Sequence, residues 1–119
     1  MLNLNSIMIG SNQVKGLIEF YTKVINKPPE MSDENWAGWQ VGVTFFGVST
    51  HSEMNGLAKE PARIMFNLET NEVKEEFERI KGLGAKVIKE PYDIDGNMIC
   101  TFADPDGNFF QLMSPWKSK

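Results

Sequence analysis

The sequence has little of two residue types that often define a site. Its 119 residues include one cysteine and one histidine. A lone cysteine, Cys100, allows no disulfide within the chain, which is typical of a reducing compartment. A lone histidine, His51, falls short of the two or more imidazole or carboxylate ligands that zinc, nickel or iron sites normally need.

Long apolar runs and basic clusters are also missing. No stretch approaches the roughly 20 apolar residues of a membrane-spanning helix, and residues 1–5 show no signal-peptide pattern. The formal net charge is −4 and the isoelectric point is about 5.0, without the Lys/Arg cluster that phosphate contacts require. We therefore expect a cytoplasmic protein with no membrane and no nucleic-acid partner.

Apolar periodicity predicts a single α+β domain covering residues 1–119, a length that suits one modest core. In residues 12–25, apolar side chains recur at i, i+3, i+4 and i+7 from Val14, and residues 71–83 carry a similar helical face from Val73. Runs rich in β-branched and aromatic residues predict the strands. These strands cover residues 4–9, 36–41, 43–50, 62–68, 86–89, 98–103 and 109–114.

The second half of the chain repeats the first half at a constant offset, the one that separates Val14 from Val73. Six apolar pairs share this offset, which favours a duplicated unit. The turn signal at residues 55–56 divides the domain into module one, about residues 1–56, and module two, about residues 57–119. The pairs are Ile7/Phe66, Ile9/Leu68, Val14/Val73, Ile18/Phe77, Tyr21/Ile80 and Val24/Leu83.

Local signals predict where elements begin and end. Ser11 or Asn12 can cap the first helix, and Thr70 can cap the second, by accepting backbone N–H bonds. Pro91 is expected to halt the strand that precedes it. The DPDGN segment at residues 104–108 predicts a turn in which both aspartates are structural rather than a general-acid pair.

Two segments resemble the vicinal oxygen chelate superfamily, which includes glyoxalase I, bleomycin-resistance proteins, fosfomycin-resistance enzymes and extradiol dioxygenases. Residues 18–24, IEFYTKV, are similar to its first helix, and residues 101–112, TFADPDGNFFQL, to its final hairpin. The resemblance implies two βαβββ modules that form a curled mixed sheet around a concave pocket.

Metal-dependent members of that superfamily carry His, Glu or Gln on inward strand faces. The matching positions here hold Ser6, Arg63 and Gln111, with Gly47 as the nearest match for the fourth. Only Gln111 offers a neutral oxygen ligand, and Arg63 is a permanent cation that repels a divalent ion. We therefore expect no metal and no other cofactor.

Strand alternation predicts a ligand site instead. If Ile64, Phe66 and Leu68 face the helix, their neighbours face the concave side. Methionines there would form an adaptable apolar wall, and Arg63 would pair with an anionic group of the ligand. The predicted lining is Ser6, Met8, Arg63, Met65, Asn67, Phe109, Gln111 and Met113.

These residues also have simpler structural interpretations. The methionines are equally suited to pack a core or a dimer interface, and Arg63 to pair with the nearby carboxylate of Glu60. Gln111 could bond only neighbouring backbone. Trp36 and Trp39 either close the site or pack against the core.

Three functions follow, and the favoured one is a metal-independent, homodimeric binding protein similar to the bleomycin-resistance branch. Its ligand would be a partly apolar, anionic small molecule held in the concave pocket. The second is a metal-dependent lyase, isomerase or thiol transferase of the glyoxalase I (lactoylglutathione lyase) or fosfomycin-resistance type, with a metal site built from His51, Glu53 and Gln111. The third is a non-catalytic association subunit.

Overall fold

The computed structural model describes residues 1–2 and 4–116. Backbone contacts divide the chain into two compact units, Met1–Gly56 and Leu57–Lys119, here called unit one and unit two. The described part of each unit contains one helix and one four-stranded mixed sheet. The predicted α+β class is confirmed, while the single domain stays a prediction.

Unit one forms a sheet in which the first strand pairs with the last. The strand order is β1-β4-β3-β2, with β1 parallel to β4 and the other pairs antiparallel. A parallel pair requires a crossover connection, and the helix is part of that connection. The elements are β1 (Ser6–Ser11), α1 (Val14–Ile25), β2 (Met31–Ser32), β3 (Trp36–Val41) and β4 (Thr44–Thr50).

Unit two repeats this topology. Its strand order is β5-β8-β7-β6, again with the first strand parallel to the last. The elements are β5 (Phe66–Glu69), α2 (Val73–Gly82), β6 (Lys86–Ile94), β7 (Asn97–Ala103) and β8 (Phe109–Met113).

The constant offset between the repeats is reproduced by the hydrogen bonds at the helix starts. Ser11 Oγ accepts the N–H of Gln13 at 2.9 Å, and Thr70 Oγ1 accepts the N–H of Glu72 at 3.0 Å. Each helix begins one residue later, at Val14 or Val73. The N-cap residues are Gln13 and Glu72, and neither side chain makes a capping bond, so the predicted helix caps are wrong. Ser11 and Thr70 instead order the residue just ahead of each helix.

Aromatic side chains build the core of each unit. In unit one, the fully buried Trp39 donates its Nε1–H to the carbonyl of Lys27 at 3.0 Å. In unit two, the ring of Phe102 stacks on those of Phe77 and Phe110 at centroid distances of 5.3 and 5.7 Å. Burying a ring of this size contributes about 1.5–3 kcal/mol relative to exposing it. Trp39 therefore packs, and of its two predicted roles the structure supports this one.

Cys100 is buried in the same core of unit two. Burial raises the pKa of its thiol to about 11, so the thiol is protonated at neutral pH. A buried, protonated thiol of this kind behaves as a small hydrophobic side chain.

The predicted start of the first strand in unit two is wrong. β5 begins at Phe66 rather than at residue 62, because its pairing with β8 begins at Phe66 and Phe110. Residues ahead of it form a turn in which the N–H of Arg63 donates to the carbonyl of Glu60 at 3.0 Å. Ile64, expected to face the helix, is 82% exposed for this reason.

Other strands also differ from the sequence prediction. β6 continues through Pro91 to Ile94, because it is an edge strand whose pairing with β7 shifts register between Lys89 and Tyr92. An edge strand with such an irregularity tolerates the missing N–H of proline. The two-residue strand β2 was not predicted, since two residues carry no detectable period.

Across the described part of the chain, no helix is both long and apolar enough to cross a membrane.

Candidate functional site

Each sheet has one face covered by its own helix and one face turned away from it, which we call the open face. In unit two, Phe102 faces α2, where its ring stacks on Phe77. Because side chains alternate along a strand, Thr101 and Ala103 project to the open face. The same alternation places Phe109, Gln111 and Met113 of β8 on the open face.

A row of polar residues crosses the open face of unit two from β5 to β6. Asn67 pairs in register with Gln111, Gln111 with Thr101, and Thr101 with Lys89. Gln111 Nε2 donates to Thr101 Oγ1 at 2.9 Å. Among residues 1–2 and 4–116, no hydrogen bond is recorded for the side chain of Asn67. We call these four residues the polar row.

On β7 and β8, apolar residues flank the polar row on both sides. One neighbouring row contains Phe109 and Ala103, and the other contains Met113 and Ile99. Met113 is 8% exposed and Ala103 is 5% exposed, whereas Phe109 is half-buried. A few polar groups set among apolar side chains is the usual composition of a small-molecule site.

A shallow depression of about 600 Å³ adjoins this face, lined by Glu60, Pro61, Ala62, Arg63 and Phe109. Arg63 Nη2 lies 2.7 Å from Glu60 Oε2, and both side chains are about 70% exposed. Such an exposed ion pair contributes only about 0.2–1 kcal/mol. The predicted pairing of Arg63 with Glu60 is therefore present, and it is weak enough for a ligand to replace.

Six of the eight predicted lining residues belong to unit two, and four of them share the open face. Asn67 and Gln111 are cross-strand partners, with Phe109 and Met113 on either side of Gln111 along β8. Arg63 lies outside the strand, joined to this group through Phe109 at the depression. Met65 precedes β5 and is 39% exposed. The remaining two, Ser6 and Met8, are exposed on β1 of unit one.

Sequence reasoning missed two members of this arrangement. Thr101 and Lys89 complete the polar row, and both were within predicted strands. Alternation along β7 from Phe102 would have predicted which face Thr101 lies on. The pairing of Thr101 with Gln111 could not be predicted in this way, because it depends on the length of the turn between β7 and β8.

That turn is held by Asp104. Its Oδ1 accepts the backbone N–H of Asp106 at 2.9 Å and of Asn108 at 3.0 Å, and its Oδ2 accepts Asn108 Nδ2 at 3.0 Å. Both aspartates are buried. The structural role predicted for this turn is confirmed.

The open face of unit one has a different composition. Its central row contains Met8, Gly47, Gly38 and Met31, paired in register. Met8 is 57% exposed and Met31 is 54% exposed. Trp36 is half-buried at the edge of this face.

A glyoxalase-like domain family model matches residues 6–113, nearly the whole chain. The chain belongs to this family. The match includes both repeats and both helices, so the predicted relationship to the vicinal oxygen chelate superfamily is confirmed.

Solved structures of other glyoxalase-like proteins share the fold. A glyoxalase-related enzyme from Fulvimarina pelagi matches with a TM-score of 0.81 at 14% identity, over 97% of this chain and 89% of that one. A glyoxalase/bleomycin resistance protein/dioxygenase family enzyme from Burkholderia phytofirmans matches with a TM-score of 0.77 at 18% identity, over 95% and 98%. At this identity the likeness concerns the fold alone.

The residues of this glyoxalase-like domain do not fit the metal that some family members use. In the described ranges, 1–2 and 4–116, no three His, Cys, Asp or Glu side chains lie close enough to hold an ion. Gln111 Nε2 donates to Thr101, which leaves Oε1 of Gln111 as a single neutral oxygen ligand. Met8 extends across Gly47, where a Cβ would lie 2.9 Å from its Sδ. A thioether over a glycine is a poor substitute for the oxygen and nitrogen ligands of a hard or borderline ion.

The structure also corrects the assignment of Arg63 to a metal position. The offset that relates Val14 to Val73 makes Met65, not Arg63, the counterpart of Ser6. Arg63 lies in a turn before β5 and pairs with Glu60. Met65, the residue at this position, is also unsuitable as a metal ligand, because a methionine sulfur binds hard cations weakly.

Proposed function

We propose that this glyoxalase-like domain is a metal-independent binding protein for a partly apolar small molecule that carries an anionic group. The observation that carries the proposal is the depression shared by Arg63 and Phe109, next to the polar row. A guanidinium, an aromatic ring and amide groups in one region suit a ligand with a carboxylate or phosphate attached to an apolar body.

Each part of the proposed site has a distinct role. Arg63 binds the anion after exchanging its contact with Glu60. Asn67 and Gln111 offer amide groups that fix the ligand's orientation. Phe109 contributes apolar surface, while Met65 and Met113 adapt to the ligand's shape. For Ser6 and Met8 of unit one, a ligand-binding role stays a prediction from the sequence.

A matched pair of probes tests this proposal. Naphthoate is an apolar anion, and naphthamide is its neutral counterpart of similar shape. We expect the protein to prefer naphthoate, and Arg63→Ala to weaken naphthoate binding by more than about tenfold, since hydrogen bonds to charged groups contribute roughly 1.5–3 kcal/mol. Isothermal titration calorimetry measures both affinities.

Two control variants distinguish a specific role of Arg63 in binding from a general effect of positive charge near the depression. Glu60→Gln releases Arg63 and should strengthen naphthoate binding by up to about fivefold, the equivalent of an exposed ion pair. Lys59→Ala removes a cation that does not line the depression, and should leave the affinity within about twofold. Equal effects of Arg63→Ala and Lys59→Ala would remove Arg63 from the site.

The enzymatic alternative is tested on the same preparation. Stoichiometric nickel, zinc, manganese or iron in the purified protein, together with turnover of methylglyoxal and glutathione, would overturn metal independence. The predicted homodimer remains a proposal, which sedimentation equilibrium tests directly.

A further inference from the structure

The open face of unit one contains two glycines at its centre, in adjacent strands. Gly38 of β3 pairs in register with Gly47 of β4. A Cβ built on Gly38 would clash with Cζ and Cε2 of Phe45, and would lie 3.2 Å from Cζ3 of Trp36. A Cβ on Gly47 would lie 2.9 Å from Sδ and Cε of Met8.

The two glycines therefore make room for three large apolar side chains. Phe45 and Trp36 reach over Gly38, and Met8 reaches over Gly47, so each occupies space that a Cβ would normally fill. We call this surface the glycine platform, defined by Met8, Trp36 and Phe45 over the two glycines.

The glycine platform is accessible as well as apolar. Met8 is 57% exposed, and Trp36 and Phe45 are half-buried. Close contact with the backbone below restricts these side chains. They therefore lose little further conformational freedom when a ligand covers them.

Within the described part of unit one, no strand residue on this face carries a charge. Alternation places there Ser6, Met8, Gly10, Met31, Trp36, Gly38, Gln40, Phe45, Gly47 and Ser49. Lys27 and Glu30 bond the backbone of Gln40, but they also pair with each other at 2.6 Å. A charged ligand group would therefore lose water here without gaining an opposite charge from a strand residue. Moving an uncharged group from water onto this face costs far less free energy.

We propose that the glycine platform binds an uncharged planar aromatic ring system. Aromatic rings stack on Phe and Trp, and thioether sulfur makes favourable contacts with rings. The inference goes beyond the proposed function by naming a ligand class for the region of Met8. It differs in requiring no anion and no contact with Arg63.

Naphthamide, the neutral probe, tests the inference by NMR. With the methionine methyl groups labelled with carbon-13, we expect the Met8 methyl signal to move upfield on titration, because it would lie above the face of the bound ring. The methyl of Met98, on β7 of unit two, provides an internal control. An unchanged Met8 signal at saturating naphthamide would overturn the inference.

Two substitutions in unit one provide a matched comparison. Phe45→Leu keeps an apolar side chain but removes the ring, and should weaken naphthamide binding by more than fivefold. Val43→Ala changes a residue that is 94% exposed in the turn before β4, and should leave binding within twofold. Equal affinities for the two variants would contradict the proposed platform.

The same titrations distinguish failure of the inference from failure of the proposed function. If naphthoate binds through Arg63 while naphthamide is insensitive to Phe45→Leu, only the platform is wrong. If neither probe binds, both proposals fail. If Phe45→Leu instead shifts a monomer–dimer equilibrium in sedimentation, a second copy of the chain covers this face and the inference is overturned.

Discussion

The two sheets share one topology but differ on their open faces. Both pair their first strand with their last in parallel, and their helices start at equivalent positions of the repeat, Val14 and Val73. In unit one the central row contains two methionines and two glycines; in unit two the corresponding row contains Asn67, Gln111, Thr101 and Lys89. The faces that contact the helices are apolar in both sheets.

This difference separates the residues that make the fold from those available for binding. Helix-facing positions must remain apolar in both units, because they bury the core. Open-face positions have no such requirement, and there the repeats differ in both charge and size. Positions where the two repeats differ on their open faces are therefore the candidate binding residues.

The largest expected effect comes from the shared core. Phe102→Ala removes a fully buried ring that stacks on two others, and should lower the free energy of unfolding by about 3–5 kcal/mol. Urea unfolding followed by circular dichroism measures it. As a control, Ile94→Ala, at a residue 45% exposed, should change stability by less than about 0.5 kcal/mol.

The same experiment tests whether the units form one domain. If the two units form a single domain, urea unfolding shows one cooperative transition, and Phe102→Ala moves its midpoint to a lower urea concentration. Two transitions, of which Phe102→Ala shifts only one, would contradict the single-domain prediction.

A second prediction concerns the glycines that distinguish the sheets. Gly38→Ala should destabilise the protein by about 1–3 kcal/mol, because its Cβ overlaps the ring of Phe45. Gly82→Ala is the matched change at the end of α2, where a Cβ meets nothing within 4 Å. It should stabilise by up to about 0.5–1 kcal/mol. Equal effects in thermal unfolding would show that Gly38 is not needed for close packing.

A third prediction tests the polar row of unit two. Thr101→Val removes the acceptor of Gln111 Nε2 and should cost about 0.5–1.5 kcal/mol. Adding Gln111→Leu should recover part of that loss, because the unpaired amide is then gone. Additive losses in the double variant would indicate that the hydrogen bond contributes nothing to stability.

The smallest expected effect is a pH dependence in unit one. A hydrogen bond from Lys27 Nζ, at 2.6 Å, and another from the N–H of Gln40 hold the pKa of Glu30 below its ordinary 4.5. Because the folded pKa is the lower one, the stabilisation is present above pH 4.5 and is lost as the pH falls through the folded value.

Glu30→Gln tests that dependence. The variant should be slightly less stable than the parent protein at pH 7, and the difference should shrink in acid, as measured by urea unfolding at each pH. A difference that stays constant down to pH 3 would exclude ionisation of Glu30 as its cause.

Much of the fold could be predicted from the sequence because it depends on local patterns. The helical spacing from Val14 and from Val73 located both helices, and the turn residues at 104–108 located the last hairpin. Boundaries that depend on a partner strand could not be predicted this way. β5 starts at Phe66 because its pairing with β8 begins there, opposite Phe110. The sequence pattern around Ile64 does not reveal where this pairing begins.

The candidate site was harder to predict for the same reason. Alternation along β8 correctly oriented Phe110 and Leu112 to the core and Gln111 to the other face. It could not show that Thr101 lies opposite Gln111, since register between strands depends on the turn that joins them. It also placed Arg63 on a strand, whereas a tight turn with Glu60 takes it off the sheet.

Pairing the first strand of each unit with its last has a consequence for synthesis on the ribosome. β1 gains its partner only when β4 has emerged, and β5 only when β8 has emerged. Until then each early strand has an unpaired edge that could join a neighbouring nascent chain. The time needed to synthesise the residues from β1 to β4, and from β5 to β8, therefore sets how long each early strand stays unpaired.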